Sequence, residues 1–344
     1  MKCDQREKEI LARIESDLRH VFAPSTKDKQ VRFGGVWESQ IEDLSKTFIH
    51  EDFSVDAQVL RKFQHLQVFF SDMPTDRLFL KKILRGENAL QFKRDLIELV
   101  GLFELAKQTR FQDTGILDLL KQYPCNRVGD PNVFIYEGYQ YTRRWIIRIW
   151  HLLLFKHYLQ PRLETDFCLL DVGSNYGVFN YLIKKEFPKS SQILVDFPQT
   201  LALAHYYLGI SFPKARIASY KELAKLDVID RNFIKDFDFI LLPTFLYKKI
   251  APQTLDVFCS ISSLWEMSRG WFEYYINAEP FSSVKYFFCM SNQVKSVYFD
   301  KELTILDYHL REFKKLYFQI APSFLPPKEP ETPYFEYIGQ RIGV

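Results

Sequence analysis

One stretch constrains the fold more than any other: Phe167-Cys168-Leu169-Leu170-Asp171-Val172-Gly173-Ser174-Asn175-Tyr176-Gly177-Val178. An apolar run reaches an acid, a turn carrying two glycines follows, and a helical pattern begins in Val178-Phe179-Asn180-Tyr181-Leu182-Ile183. A short run of this kind, buried on both faces, predicts a central strand of a parallel sheet. Gly173 and Gly177 supply the positive-φ or crowded backbone positions that a tight strand-to-helix turn requires. The helix then opens with unpaired N–H groups and the positive end of its dipole facing whatever sits above the strand.

A dinucleotide fingerprint, Gly-x-Gly-x-x-Gly counted from Gly173, would need glycines where Asn175 and Val178 stand. A phosphate-cradling Gly-Lys-Ser/Thr loop is absent as well. What remains, hydrophobic-hydrophobic-acid-x-Gly-x-x-x-Gly, resembles the first motif of the class I S-adenosylmethionine-dependent methyltransferases, with Asn175 in place of the middle glycine. Asn is the ordinary residue best able to enter the left-handed region. The resemblance implies S-adenosylmethionine as cofactor, with Asp171, Gly173, Ser174, Asn175 and Gly177 around it. An acid at the strand end suits a ligand carrying an ammonium and a sulfonium.

Ser191-Gln192-Ile193-Leu194-Val195-Asp196 is a second apolar run ending in an acid, about 20 residues past the glycine turn, the spacing of a ribose-hydroxyl ligand. A carboxylate there can accept both ribose hydroxyls. Its other reading is an N-cap for the next helix, which Pro198 would open. The match in spacing to Gly173 favours the ribose role. Asp196-Phe197-Pro198 is similar to the Asp-Leu-Pro of small-molecule O-methyltransferases. Further stretches resemble a bacterial family of sugar O-methyltransferases associated with surface polysaccharide clusters: Val128-Gly129-Asp130-Pro131, Leu201 to Leu208, Ser263-Leu264-Trp265-Glu266-Met267, and Tyr286 to Asn292. The resemblance covers roughly residues 125 to 295. It implies a methyltransferase and, less directly, a sugar acceptor.

From Pro161 the pattern alternates strands and helices, which predicts an α/β, Rossmann-like parallel sheet with helices on both faces. Candidate later strands are Ala215 to Ser219, Phe237 to Leu242, Asp256 to Ser262, Val284 to Met290 and Leu316 to Ala321, with a helix from Ser263 to Ala278. Residues 1–160 are expected to form a mainly helical N-terminal region, and residues 161–344 the methyltransferase domain. In the N-terminal region, Ile10, Leu11, Ile14, Leu18 and Val21 recur at helical spacing. Trp37 to Phe48, Val55 to Phe70, Leu78 to Leu84 and Ala89 to Gln108 read as further helices, and Val133 to Tyr141 as a hairpin turning at Glu137-Gly138. Arg143 to Leu159 is a basic, aromatic helix, and the tail Pro322 to Pro333 is expected to be extended.

Length and apolar content suffice for a sizeable core. A net charge of +3, from 46 basic and 43 acidic residues, implies no general field for nucleic acid. Five scattered cysteines show no metal spacing, and Cys168, Cys259 and Cys289 lie in apolar runs as small buried hydrophobes. Such a set suggests a reducing compartment, and with no apolar run long enough for a bilayer the expected location is cytoplasmic. A homo-oligomer is compatible with all of this.

Ligands of an open parallel sheet bind at the carboxyl ends of its strands. Beyond the first two strands, that rule selects Ser219 and Tyr220 for the cofactor and Pro243-Thr244-Phe245 as a strand end without an acid. The strand after these ends at Ser262 and Ser263, which could orient an acceptor hydroxyl. Methyl transfer to a sugar hydroxyl needs a general base or a metal. Glu266 is the preferred base, His205 the second candidate, and no metal ligand set is expected. Glu266 also has a structural reading, as the partner of Ser263 in a capping box. Asn292, after an aromatic strand, reads either as a substrate contact or as a turn residue. Competing readings are methylation of a small non-sugar acceptor and an inactive methyltransferase-like scaffold.

Overall fold

The strand holding Asp171, β1 (Cys168–Val172), is buried at every residue and lies inside an eight-stranded sheet. The other strands are β2 (Ser191–Asp196), β3 (Ile217–Ala218), β4 (Phe239–Pro243), β5 (Val257–Ile261), β6 (Tyr286–Asn292), β7 (Phe313–Ile320) and β8 (Tyr334–Arg341). Their order across the sheet is β7-β8-β6-β5-β1-β2-β4-β3. From β6 to β3 all neighbours are parallel, whereas β8 runs antiparallel to both β6 and β7. The computed structural model describes residues 5–23, 36–65, 89–111, 113–292, 303–321 and 334–343.

After β1 the chain builds outward through β2, then crosses back to place β5 on the other side of β1. That reversal is the topological switch point of a Rossmann-like, doubly wound sheet, where a crevice opens above the strand ends. Two features depart from the expected strands. The third strand in sequence, β3, is only two residues long and sits at the sheet edge, while β4 pairs directly with β2. The last strand, β8, was not legible as one: Glu336 is fully buried within it and Gly339 carries no side chain, so no apolar alternation marks it.

The crossover helices are α3 (Val178–Glu186), α4 (Pro198–Ser211) and α5 (Arg269–Ile276); α1 (Gln5–Val21) and α2 (Val36–Phe48) precede them. Ile10, Ile14, Leu18 and Val21 form one buried face of α1, as their spacing predicts, and each contributes roughly 2 kcal/mol by leaving water. That face packs on α4. The two helices approach closely at Gly209, where a Cβ would lie 3.0 Å from Ile10 Cδ1. Glu7, also buried, accepts a 2.8 Å bond from the Tyr206 hydroxyl.

The chain divides into two compact units, Met1–Asp56 with Tyr158–Val344, and Ala57–His157. The first 56 residues therefore group with the sheet, because α1 finds its apolar partner on α4. The second unit contains the helix Ala89–Gln108, expected at those bounds, and a hairpin of Phe134–Tyr136 and Tyr139–Tyr141. Glu137 (φ +49°) and Gly138 (φ +80°) form the hairpin's left-handed turn. Its Val128-Gly129 segment is held by Gln64, whose amide donates to Val128 O over 2.6 Å. His151 is fully buried on the helix Arg143–Tyr158, with Arg148 Nη1 3.1 Å from its Nδ1. Val55 to Phe70 is helical only over Ala57–Leu60 and Phe63–His65 within the described residues; Leu78 to Leu84 and Pro322 to Pro333 lie outside them.

Candidate functional site

At the end of β1 the backbone enters the left-handed region three times, at Gly173 (φ +74°), Asn175 (φ +56°) and Gly177 (φ +85°). Gly177 is the N-cap of α3, and its N–H donates to Ser174 O over 3.1 Å. Asn175 stabilises its own unusual conformation, since its Oδ1 accepts from Tyr176 N–H at 2.7 Å.

The turn is clamped from the neighbouring strand. Asp196 Oδ2 accepts from Asn175 N–H and Oδ1 from Phe197 N–H, both over 2.8 Å. Thr200 adds a third bond from its hydroxyl. The carboxylate is 8% exposed, and burial raises its pKa to about 6 although the bonds from Phe197, Asn175 and Thr200 pull it down. A carboxylate offers roughly four lone-pair sites, so about one remains for a ligand. That leaves room for one ligand hydroxyl, where the sequence reading expected two. Asp171 and Ser174 are buried in the same segment.

Across the switch point, Ser263 does something the sequence does not show. Its hydroxyl donates to Val172 O, and its Oγ lies 2.8 Å from Ser260 Oγ. A Cβ on Gly173 would fall 2.2 Å from Ser263 Cβ, so the missing side chain of Gly173 is what lets the two loops meet. Ser263 is thus a junction between β1 and β5, and its hydroxyl makes no cap for the turn Leu264–Glu266. The expected helix from Ser263 to Ala278 is instead this single 3₁₀ turn followed by α5, because Ser268 starts a new helix. Next to the junction, Ser262 holds φ +68°, an uncommon and strained conformation for a serine. Glu266, half-buried, sits at the end of the 3₁₀ turn with its N–H on Ser263 O. Its negative charge is one of the influences that raise the pKa of the buried Tyr308, after burial itself, Cys289 and Asp307.

The remaining candidates lie elsewhere. With β4 between β2 and β3, the strand end beside Asp196 is Pro243, and Ser219 and Tyr220 fall one strand further out. Ser219 caps the short helix Tyr220–Leu223 through Glu222. Tyr220 faces α1 across a cleft of about 30 Å³, room for one water. Residues Ile14, Leu18 and Val21 of α1 close this side of the sheet. His205 is 4% exposed on α4, with Nδ1 4.0 Å from Asp17 Oδ2. Burial first, then the charges of Arg13 and Arg6, lower its pKa to about 3, which leaves a neutral ring too weakly basic for proton abstraction. Phe197 is half-buried at the N-cap of α4. Asn292 ends β6, and its side chain lies outside the described residues.

Thr244 was missed as a candidate. It follows Pro243 at the strand end beside Asp196, is 4% exposed, and its Oγ1 has no hydrogen-bond partner among the described residues. An orphaned buried hydroxyl at this position fits a polar ligand such as the adenosine portion of S-adenosylmethionine. The strand-end rule already pointed to it; the absence of an acid there diverted attention. Among the described residues no group of three or more His, Cys, Asp or Glu is gathered as for a metal ion, and no helix is long and apolar enough to cross a membrane.

No protein-family model matches the chain, and no curated protein matches it. Among solved structures, it is similar to an O-methyltransferase family 2 protein from Planctomyces limnophilus in complex with apigenin, at 11% identity and a TM-score of 0.35 over 57% of this chain and 62% of that one. It is also similar to phosphoethanolamine N-methyltransferase 2 of Haemonchus contortus in complex with S-adenosyl-L-methionine, at 14% identity and a TM-score of 0.37 over 67% and 60% of the two chains. A SAM dependent methyltransferase from Aquifex aeolicus aligns at 12% identity and a TM-score of 0.32 over 55% and 88%. The chain spans less than two thirds of the length of the first two. At such identities and scores, the chemistry has to be argued from the site itself.

Proposed function

We propose that this chain is an S-adenosylmethionine-dependent O-methyltransferase whose acceptor is a sugar hydroxyl of a glycan or its precursor. The observation that carries the cofactor reading is the clamp of Asp196 on Asn175: a buried, uncompensated carboxylate beside a left-handed turn at the switch point of a Rossmann-like sheet. The resemblance over residues 125 to 295 supports the sugar acceptor.

Bound there, S-adenosylmethionine would supply an electrophilic methyl group on a sulfonium. Asp196 would hold one ribose hydroxyl with its remaining lone pair, Thr244 would offer a second contact, and the Gly173–Gly177 backbone would approach the ligand closely. Transfer forms an oxygen–carbon bond as the carbon–sulfur bond breaks, and the hydroxyl proton must leave. Glu266, on the loop after β5, is the group we assign to receive it. Positive charge vanishes in this displacement, so alignment and exclusion of water supply much of the rate.

The test is Glu266→Gln, assayed with a panel of sugar and aromatic hydroxyl acceptors. Turnover should fall about 100-fold or more while affinity for S-adenosylhomocysteine stays within about twofold. Turnover at the parent rate would remove Glu266 from the role. Turnover of aromatic acceptors alone would replace the sugar by a small non-sugar substrate.

A further inference from the structure

A second cavity lies at the other end of the sheet. It has a volume of about 490 Å³ and is bounded by α1, α4, the start of β3 and Phe237 just ahead of β4. Because β2, β4 and β3 run parallel, the beginnings of β3 and β4 are at the opposite end from Asp196 and Asn175. Its lining contains none of Asp196, Asn175 and Thr244, and shares His205 with the cleft beside Tyr220.

Its charged lining is Arg6, Arg13, Arg216, Glu9 and Glu222. Arg13 is committed, with Nη2 2.6 Å from Glu222 Oε1. The other two arginines are held more loosely. Arg6 Nη1 is 3.8 Å from Glu9 and Arg216 Nη1 is 3.9 Å from Asp236, both at the outer limit of an ion pair, and Arg216 Nη2 donates a long 3.5 Å bond to Lys235 O. Arg6 Nε is buried and has no hydrogen-bond partner among the described residues. Glu9 is shared with Gln5, whose amide donates to it over 3.3 Å. Two loosely held arginines thus line a common space with guanidinium donors left over, and planar donor forks of this kind match the oxygens of a phosphate. Ile10, Ile217 and Phe237 add apolar lining. The volume falls in the range of small-molecule pockets and far exceeds one phosphate.

We propose that this cavity binds a phosphate-bearing small molecule of nucleotide size, with Arg6 and Arg216 on the phosphate and Phe237 against the flat or apolar portion.

The experiment is calorimetric titration of the full chain with ADP, ribose 5-phosphate and inorganic phosphate, with excess S-adenosylhomocysteine present. ADP should bind tightest. Arg6→Gln and Arg216→Gln should each weaken it about tenfold, the loss expected for one charge-assisted phosphate contact. Asp196→Ala should leave ADP binding unchanged. The two arginine side chains are 40% and 63% exposed, so neither change threatens the core, and unaltered melting curves will show it. The proposal is overturned if none of the three ligands binds below roughly 10 mM. It is equally overturned if ADP binding ignores both arginines, or if inorganic phosphate binds as tightly as ADP.

Discussion

Asp196 and Asp256 are both buried carboxylates on the same sheet, 8% and 4% exposed, yet they sit at opposite ends and are treated in opposite ways. Asp256 precedes β5 and is surrounded by cations: Arg231 Nη2 and Lys285 Nζ each lie 2.8 Å away, and Cys168 N–H donates over 2.8 Å. Burial pushes its pKa up, but the bonds from Arg231, Lys285 and Cys168 outweigh it and hold the group below the ordinary carboxylate value. Asp196 has only backbone N–H groups and a threonine hydroxyl, so burial wins and its pKa rises to about 6. The first carboxylate ties β1, β5, β6 and the helix of Arg231 together. The second is left without a cation at the carboxyl end of the sheet, the arrangement on which the proposed ligand role rests.

The pH dependence has opposite signs for the two. For Asp256 the folded pKa is depressed, so its stabilisation is present above about 3.9 and is lost as pH falls through the lower folded value. For Asp196 the folded pKa is raised, so ionising it costs the fold on the order of 3 kcal/mol, incurred as pH rises from about 4 to about 6.

The largest expected effect is on stability. Asp256→Ala leaves Arg231 and Lys285 without their shared partner, and should cost about 3 kcal/mol in urea unfolding. Lys285 is half exposed, which keeps the figure at the lower end of the range for broken buried pairs. Ligand affinity of the protein that remains folded should not change. If stability were unaltered, Asp256 would not be the tie described. Asp196→Ala should do the reverse: affinity for S-adenosylhomocysteine should weaken about 30-fold, roughly 2 kcal/mol, with a much smaller change in unfolding free energy because relief of the buried charge offsets the lost bonds. A variant that lost stability but kept affinity would make Asp196 a purely structural clamp.

What was legible in the sequence was local. The turn Gly173 to Gly177 and the acid at Asp196 declared themselves because strand ends and left-handed residues leave marks within a few positions. The helix α1 was legible from its apolar spacing. Ser263 was misread because its partner, Val172 O, is 91 residues away in the chain and nothing near Ser263 announces it. Ser219 and Tyr220 were selected as the carboxyl end of the third strand, but local sequence does not give strand order, and it is β4, ending at Pro243-Thr244, that pairs with β2. His205 lies on the face of α4 that α1 covers, and an amphipathic pattern on each helix alone does not say which partner it meets. Strand β8 escaped notice because a buried glutamate reads as an exposed one until its environment is known.

The most direct measurement is calorimetric titration of the full chain with S-adenosylhomocysteine at pH 7.5 and at pH 5, with NADH as the control ligand. The account predicts binding of S-adenosylhomocysteine and not NADH, and an affinity about tenfold weaker at pH 5, where Asp196 takes up its proton about one unit below its raised pKa. Binding of NADH in its place, or no binding of S-adenosylhomocysteine at either pH, would contradict it.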